Sequence, residues 1–391
     1  MKTPFTEEAA YRHVASQAVS GRPTVAIVDL CAIENNFRCA ERLAPGRMIM
    51  AVVKAEAYGH GAVEVSRRLV SLGAAMLGVA LLEEGRQLRE AGIKAPVLVM
   101  GPLFPEQADE VVRLGLTPVV FGEPFARALS QACRRQGRET DVHIKVDTGM
   151  GRIGLRPEDA ADFICSIAGY PGLRISGLMT HFADADLRDK HFAGLQMDRF
   201  EALIRTLEER GVNPMLKHAA NSAALMDYNR ALFNMVRPGL MLYGYNPLEA
   251  ESDGTGHGLL PALSLLTRIS FLKKVPAGFA VSYGRTFVTR RESLIATIPI
   301  GYADGYSRAL SNIGEALVRG MRVKVAGRVC MDMTMLDVTD VQGVSEGDEV
   351  VLIGGQGKER ITADEIGARI GTIPYEVLCG ISSRVPRVYV G

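Results

Sequence analysis

Residues 48–61 read MIMAVVKAEAYGHG: six apolar residues, a lysine, a tyrosine four residues later, then Gly-His-Gly. A run that is apolar at every position, not at alternate ones, is the pattern of a strand buried on both faces. Parallel sheets covered by helices are built from such strands. An unpaired ammonium in those surroundings is costly and is driven toward its neutral form. Lys54 is therefore either a solvated charge at a strand end or an amine kept there for chemistry.

The same texture repeats from Met48 to Tyr243. Further apolar runs are MLGVA (76–80), VLVM (97–100), PVVF (118–121), VHIKVD (142–147), ISGLMT (175–180), MLKHA (215–219) and MVRPGLML (235–242). Between them lie amphipathic stretches with helical spacing, such as AVEVSRRLVSLG (62–73), EEGRQLREAG (83–92) and LQMDRFEALIRTLEERG (195–211). Eight buried strands alternating with helices predict an α/β fold, a (β/α)8 TIM-type barrel over residues 22–250. A doubly wound open sheet is the alternative, but no GxGxxG follows the first strand.

After Pro247 the texture changes. LIATIPIGYADG (294–305), RVKVAGRVCMDMTMLDV (322–338) and DEVVLIGG (348–355) are β-rich runs broken by glycine and charged turns. One good helix stands out, TADEIGARIG (362–371), with Thr362 as its N-cap. Residues 251–391 are thus expected to form a mostly antiparallel β domain, with ESDGTGHG (251–258) as the linker and residues 1–21 as an N-terminal extension. RPTVAIVDL (22–30) also reads as a strand, suited to pairing with that second domain instead of the barrel.

The chain has 391 residues, 47% hydrophobic and 23% charged, with a net charge of +1 and no block of like charges. Neither nucleic acid nor an anionic membrane surface is indicated. The six cysteines are scattered without a CxxC pair, which fits a reduced compartment and no metal site. The first residues lack an apolar signal core, and no apolar run is long enough to span a bilayer. A cytoplasmic protein acting on a small molecule is the expectation.

Barrel enzymes place their chemistry where strands end. Those ends carry Lys54, Lys145 and Asp147, His181, Asn221 and Ser222, and Arg237. Any one could be a solvated strand end, but five coinciding ends argue against that for the set. A desolvated lysine amine most commonly forms a Schiff base with a carbonyl, pyridoxal phosphate included. ANSAA (220–224) and RPGLMLYG (237–244) offer a hydroxyl and a glycine that permits close approach to a phosphate.

Taken with their flanks, these residues resemble the pyridoxal-phosphate-dependent alanine racemases. AVVKAEAYGHG looks like that family's cofactor-lysine signature. The likeness continues in family order through KVDTGMGRIG, GLMTHFADAD, HAANSAA, VRPGLMLYG, VSYGRTF, IPIGYADGY, GRVCMDMTMLDVT and PYEVLCGISSRVPR. The resemblance implies an α/β barrel followed by a β domain, in a homodimer with shared active sites. It implies that Lys54 holds pyridoxal 5'-phosphate and acts as one base, while Tyr283 of the partner is the other, tuned through a chain Tyr283–His181–Arg237. Arg237 would face the pyridine nitrogen, Arg152 the substrate carboxylate, and Tyr58, Ser222, Gly239 and Tyr375 the phosphate. Met331 and Asp332 would border a small substrate pocket and Tyr302 its entrance. Lys145 matches a lysine that is carbamylated in many members.

The function so implied is interconversion of L- and D-alanine, with D-alanine supplied for peptidoglycan. A broad or serine-preferring racemase, and a non-catalytic cofactor-binding protein, are the alternatives. One departure is visible. The family usually has Asn or Asp two residues after the cofactor lysine, and here it is Glu56, which raises the expectation of altered packing beside the site and of substrate breadth.

Overall fold

The structure, a computed structural model, describes residues 21–248 and 258–391. Residues 1–20 of the extension and nearly all of the expected linker lie outside the described residues. Two compact units divide the chain: Ala32–Ala57 with Ala62–Leu260, and the residues up to Cys31 with Tyr58–Gly61 and Pro261–Gly391.

The first unit is the barrel. After β1 (Val25–Asp29), which belongs to the other unit, its strands are β2 (Met48–Val52), β3 (Met76–Val79), β4 (Val97–Val99), β5 (Thr117–Val120), β6 (Thr140–Lys145), β7 (Leu173–Met179), β8 (Leu216–His218) and β9 (Met235–Val236). Each of the eight apolar runs supplies one strand. Neighbours pair in parallel from β8 down to β2, and β2 pairs with β9. The remaining seam, between β8 and β9, has no strand ladder. There the side chain of Asn234 takes over, accepting from Lys217 N–H (2.8 Å) and donating to the Met215 carbonyl (2.6 Å). The Arg237 N–H donates to the Ala220 carbonyl one step further (3.0 Å).

The lumen is filled by Met50, Met76, Leu98, Val119, Met179, Leu216 and Met235, with Met100 and Phe121 against them. Methionine's flexible chain fills an irregular interior without a fixed rotamer. Because strand residues alternate faces, the positions two further along point the same way. On β6, β7 and β9 that period leads to Lys145, His181 and Arg237, so the sequence moves from an apolar plug to a polar rim within one step of each strand. The outer helices follow amphipathic rules. Glu123–Gln136 starts with Glu123 and Pro124, ends with Arg134 and Arg135, and buries Phe125, Ala126, Leu129 and Cys133.

The second unit is built on one sheet. Its strands run Phe271–Val275, Ser293–Ile298, Thr334–Asp337, Met321–Val325, Glu315–Val318, Glu349–Gln356, Leu263–Arg268, Val25–Asp29 and Arg387–Val390, with Glu359–Ile361 attached to Glu349–Gln356. All pairs are antiparallel except Val25–Asp29 with Arg387–Val390. Strand β1 sits between the chain's last strand and Leu263–Arg268, held by Thr24 Oγ1 to Thr267 Oγ1 (2.9 Å) and by Arg22 on Asp304 (2.5 Å). Helix Ala363–Ile370 begins as the sequence indicates, with Thr362 Oγ1 accepting from Glu365 N–H (3.2 Å). A second helix, Pro374–Cys379, was not foreseen; six residues are too few to show a helical period. Among the described residues, no helix is long and apolar enough to cross a membrane.

Candidate active site

Lys54 follows β2, whose end is fixed by neighbours. The Tyr243 hydroxyl donates to the Val52 carbonyl (2.8 Å), and Val53 N–H donates to Gly78 (2.8 Å). The next four residues then take the wrong hand: Ala55, Glu56, Ala57 and Tyr58 have φ of 52°, 54°, 52° and 54°. A left-handed turn of L-residues costs ~1–2 kcal/mol per residue. Side-chain carboxylates offset part of that cost. Glu84 accepts the Ala55 N–H (2.6 Å) with one oxygen, and those of Ala80 (2.6 Å) and Leu81 (3.0 Å) with the other. Glu56 accepts from Ala62 N–H (3.1 Å) and from the Gln87 amide (2.7 Å).

The Glu56 departure is thereby explained. Asn and Asp tolerate the left-handed region better, but the longer glutamate reaches the start of helix Ala62–Ser71 and the neighbouring helix. Its carboxylate is engaged on the helix side, so it gives no support to the expectation of altered substrate breadth. Beyond the turn, two glycines are obligatory. A Cβ on Gly59 (φ +83°) would lie 2.2 Å from the Leu378 carbonyl oxygen, and one on Gly61 (φ +93°) would lie 1.8 Å from the Tyr389 hydroxyl.

At the polar rim Arg237 is the organiser. Its guanidinium donates from Nη2 to the carbonyls of Thr180 (2.8 Å) and Ala219 (3.0 Å) and to His181 Nδ1 (3.3 Å), and from Nη1 to His218 Nδ1 (3.0 Å). Burial pulls its pKa down to about 9, which leaves it protonated at neutral pH. Its Nε–H takes no partner among the described residues. Because arginine only donates, His181 must accept at Nδ1, so the neutral ring carries its proton on Nε2. Burial, then Arg237, Lys145, Arg152 and Lys54, hold His181 well below its ordinary pKa.

Lys145 is 4% exposed. Burial first, then Arg237 and Arg152, drive its pKa well below the usual lysine value, against a weaker pull from Asp147. Asp147 is occupied elsewhere, accepting from Gly149 (3.0 Å), Gly151 (3.1 Å) and Arg152 (2.9 Å) N–H groups. Partial burial raises its pKa, but these backbone donors outweigh it and the net displacement is downward. They shape the loop that carries the exposed Arg152. Gln196 braces the adjoining loops, donating to the His181 carbonyl (3.0 Å) and Thr148 Oγ1 (3.2 Å).

Ser222 Oγ accepts from Gly239 N–H (2.8 Å) and Met241 N–H (3.4 Å), leaving its own proton to donate. Gly239 therefore braces Ser222. Asn221 caps the following short helix, accepting from Ala224 N–H (2.9 Å). In the other unit, Tyr58 packs on Tyr375 with ring centroids 5.9 Å apart, and burial keeps the Tyr58 phenol protonated far above its usual range.

Tyr283 also lies in the β unit and is 70% exposed. It is presented by a strained turn, with Ser282 at φ 65°, ψ −178°, Gly284 at φ 70° and Arg285 at φ 54°. Ser282 Oγ donates to the Arg328 carbonyl (2.6 Å) and fixes that turn. Met331 (53%), Met333 (51%) and Tyr302 (41%) are exposed too, so core packing does not account for Met331. Asp332 pairs with Arg384 (2.7 Å).

The structure thus gathers Lys54, Lys145, Arg152, His181 and Arg237 around one rim, and sets Tyr283, Tyr302, Met331, Asp332 and Tyr375 in the β unit. Sequence reading missed His143, His218, Gln196, Tyr243 and Glu84. The two histidines lie inside quoted strands, VHIKVD and MLKHA, where a polar residue in an apolar run was the available signal.

Three imidazoles, His143, His181 and His218, have pKa values lowered chiefly by burial, His143 to about 4. In the unfolded chain each titrates near ~6.5. Below that pH the unfolded state takes up protons that the folded state refuses, so stability is present above ~6.5 and lost as pH falls, by at most ~4 kcal/mol per pH unit for three sites. Melting temperature is expected to drop steeply between pH 6.5 and pH ~4; a melting temperature that stays flat from pH 7 to pH ~4.5 would contradict it.

The basic side chains of Arg237, Lys145, Arg152 and Lys54 around His181 make a predominantly basic rim, which fits a class of enzyme with an anionic ligand. Comparison with known proteins agrees. The family model for alanine racemase, N-terminal domain, matches residues 28–247, and that for alanine racemase, C-terminal domain, matches residues 262–389. An alanine racemase of Halothermothrix orenii is 47% identical over 94% of this chain and 97% of its own, and one of Methanococcus maripaludis is 43% identical over 94% and 99%. Among solved structures, the Bacillus anthracis alanine racemase with bound L-Ala-P is 39% identical, with a TM-score of 0.88 over 96% of both chains. The chain belongs to the alanine racemase family.

Proposed function

We propose that this protein interconverts L- and D-alanine, with pyridoxal 5'-phosphate as cofactor and Lys54 and Tyr283 as the two bases. The observation that carries the reading is the rim itself: a buried, protonated Arg237 with an unused Nε–H, beside a neutral His181 and with Lys54 and Arg152 adding to the positive field. Such a site suits the negative charge of a phosphorylated aldehyde. When bound, pyridoxal phosphate supplies an aldehyde for an amine and a conjugated ring that acidifies the amino acid's α-proton.

Ser222, braced by Gly239, would donate its hydroxyl proton to the phosphate; the protonated phenol of Tyr58 and the hydroxyl of Tyr375 would be donors of the same kind. Arg237 would offer its Nε–H to the ring nitrogen and, as a guanidinium, would not surrender that proton. By withholding a proton from that nitrogen, Arg237 would favour return of the α-proton over side reactions. His181, with its proton on Nε2, is a hydrogen-bond donor suited to a phenolate, and so would lower the pKa of Tyr283. The exposure of Tyr283, Met331, Met333 and Tyr302 supports a homodimer in which each copy supplies these residues, with Asp332, to the other's barrel. Arg152 holds the substrate carboxylate. The role served is cytoplasmic supply of D-alanine for peptidoglycan.

Burial, then Arg237 and Arg152, pull the pKa of Lys145 down, which favours the unprotonated amine whose nitrogen bonds to the carbon of CO2 and releases one proton, leaving a carboxylate for Arg152. Native intact-mass measurement is expected to show a gain of one CO2 that acid removes and Lys145→Ala lacks; identical masses for the protein before and after acid would remove this assignment.

The non-catalytic alternative is disfavoured because both domains and both bases are present. The test is exchange in D2O: either alanine enantiomer alone should yield the other with deuterium at Cα. Racemisation of serine faster than alanine, or no α-exchange, would overturn the reading.

A further inference from the structure

We propose that His143 is a positioning residue that orients Arg237 through His218. His143 Nδ1 lies 2.9 Å from His218 Nε2, and His218 Nδ1 lies 3.0 Å from Arg237 Nη1. Both rings are fully buried, with centroids 4.9 Å apart and edges toward faces. The donor chemistry leaves one arrangement for neutral rings. Arg237 can only donate, so His218 Nδ1 accepts and its proton sits on Nε2. That proton is donated to His143 Nδ1, so His143 in turn carries its proton on Nε2. The string therefore runs one way, from Arg237 on β9's end through β8 to β6.

It ends badly for stability. His143 Nε2 is buried and has no hydrogen-bond partner among the described residues. An apolar residue at 143 would remove that unmet donor only by leaving the buried His218 Nε2–H without its acceptor. The fold also makes room for this ring: a Cβ on Gly177 of the neighbouring strand would lie 2.4 Å from His143 Cγ. A histidine that leaves a donor unmet and requires a glycine beside it is kept for its acceptor. Without that acceptor His218 is released from one tautomer, and Arg237 Nη1 loses the partner that turns its Nε–H toward the cofactor. The consequence for the cofactor rests on the function proposed above; the tautomer does not.

The test uses full-length protein labelled with ¹⁵N-histidine, without and with pyridoxal phosphate. Ring ¹⁵N–¹H correlations of the cofactor-free protein should show His218 protonated on Nε2. His143→Asn, whose amide oxygen can stand near the position of Nδ1, should keep that tautomer. His143→Leu should lose it, and cofactor affinity should fall about tenfold, the scale of one lost hydrogen bond. Gly177→Ala, which displaces the ring without altering any polar group, should behave like the leucine variant and replaces it if that fails to fold. A leucine or Gly177→Ala variant with the wild-type His218 signal, or an asparagine variant as impaired as leucine, overturns the proposal. Absence of any cofactor binding with the His218 pattern intact would sink the racemase reading and leave the tautomer relay standing.

Discussion

Lys54→Ala is expected to lower alanine racemisation by at least about 10⁴-fold, because one substitution removes both the amine that meets the cofactor and one of two proton-transfer groups. The effect should be chemical, not structural. The segment after Lys54 is held through its backbone by Glu84 and through the Glu56 side chain, and the strand end before it by Tyr243, and these contacts survive loss of the lysine amine. Far-UV circular dichroism and melting temperature should therefore stay close to wild type, and the visible band that borohydride abolishes should be absent. Turnover within tenfold of wild type, by chiral chromatography, would remove Lys54 from the chemistry.

Tyr283→Phe is expected to cost about 10³-fold in racemisation while leaving the cofactor bound. Within one copy the change deletes one oxygen from a side chain that is 70% exposed, and substitutions of that kind shift the stability of the fold by only about 0.5 kcal/mol. The informative readout is asymmetry. Inversion needs a proton removed from one face and delivered to the other, so loss of one base should leave the second able to exchange the α-hydrogen of one enantiomer without inverting it. In D2O the variant should wash deuterium into one enantiomer far faster than it forms the other. Equal loss of exchange for both enantiomers would show that Tyr283 acts in binding or positioning instead.

How much of this could be read beforehand differs by physical scale. The barrel was legible because eight strands buried on both faces leave eight near-continuous apolar runs, and the ends of those runs marked Lys145 and Arg237 as rim residues. The unladdered seam was not legible, since Asn234 works by reaching across to Met215 and Lys217, a contact with no local period. Glu56 appeared only as a departure in residue type; what it does depends on a backbone hand that no propensity announces at Ala55 or Ala57. His143 and His218 were in view, but their meaning lies in a donor–acceptor order spanning β6, β8 and β9. The separate surroundings of Tyr283 follow from the turn at Ser282, where a positive φ on a serine runs against residue preference.

The inverted turn at Ala55–Tyr58 has a stereochemical consequence. Ala55 and Ala57 occupy the conformation that the mirror-image amino acid adopts without strain. Among encoded residues glycine alone relieves such strain freely, and it would do so by loosening the segment that aims the amine. At those two positions the chain holds L-alanine in the backbone geometry natural to D-alanine, and the two glutamate carboxylates make a translated protein keep a shape that chemical synthesis could install with less strain.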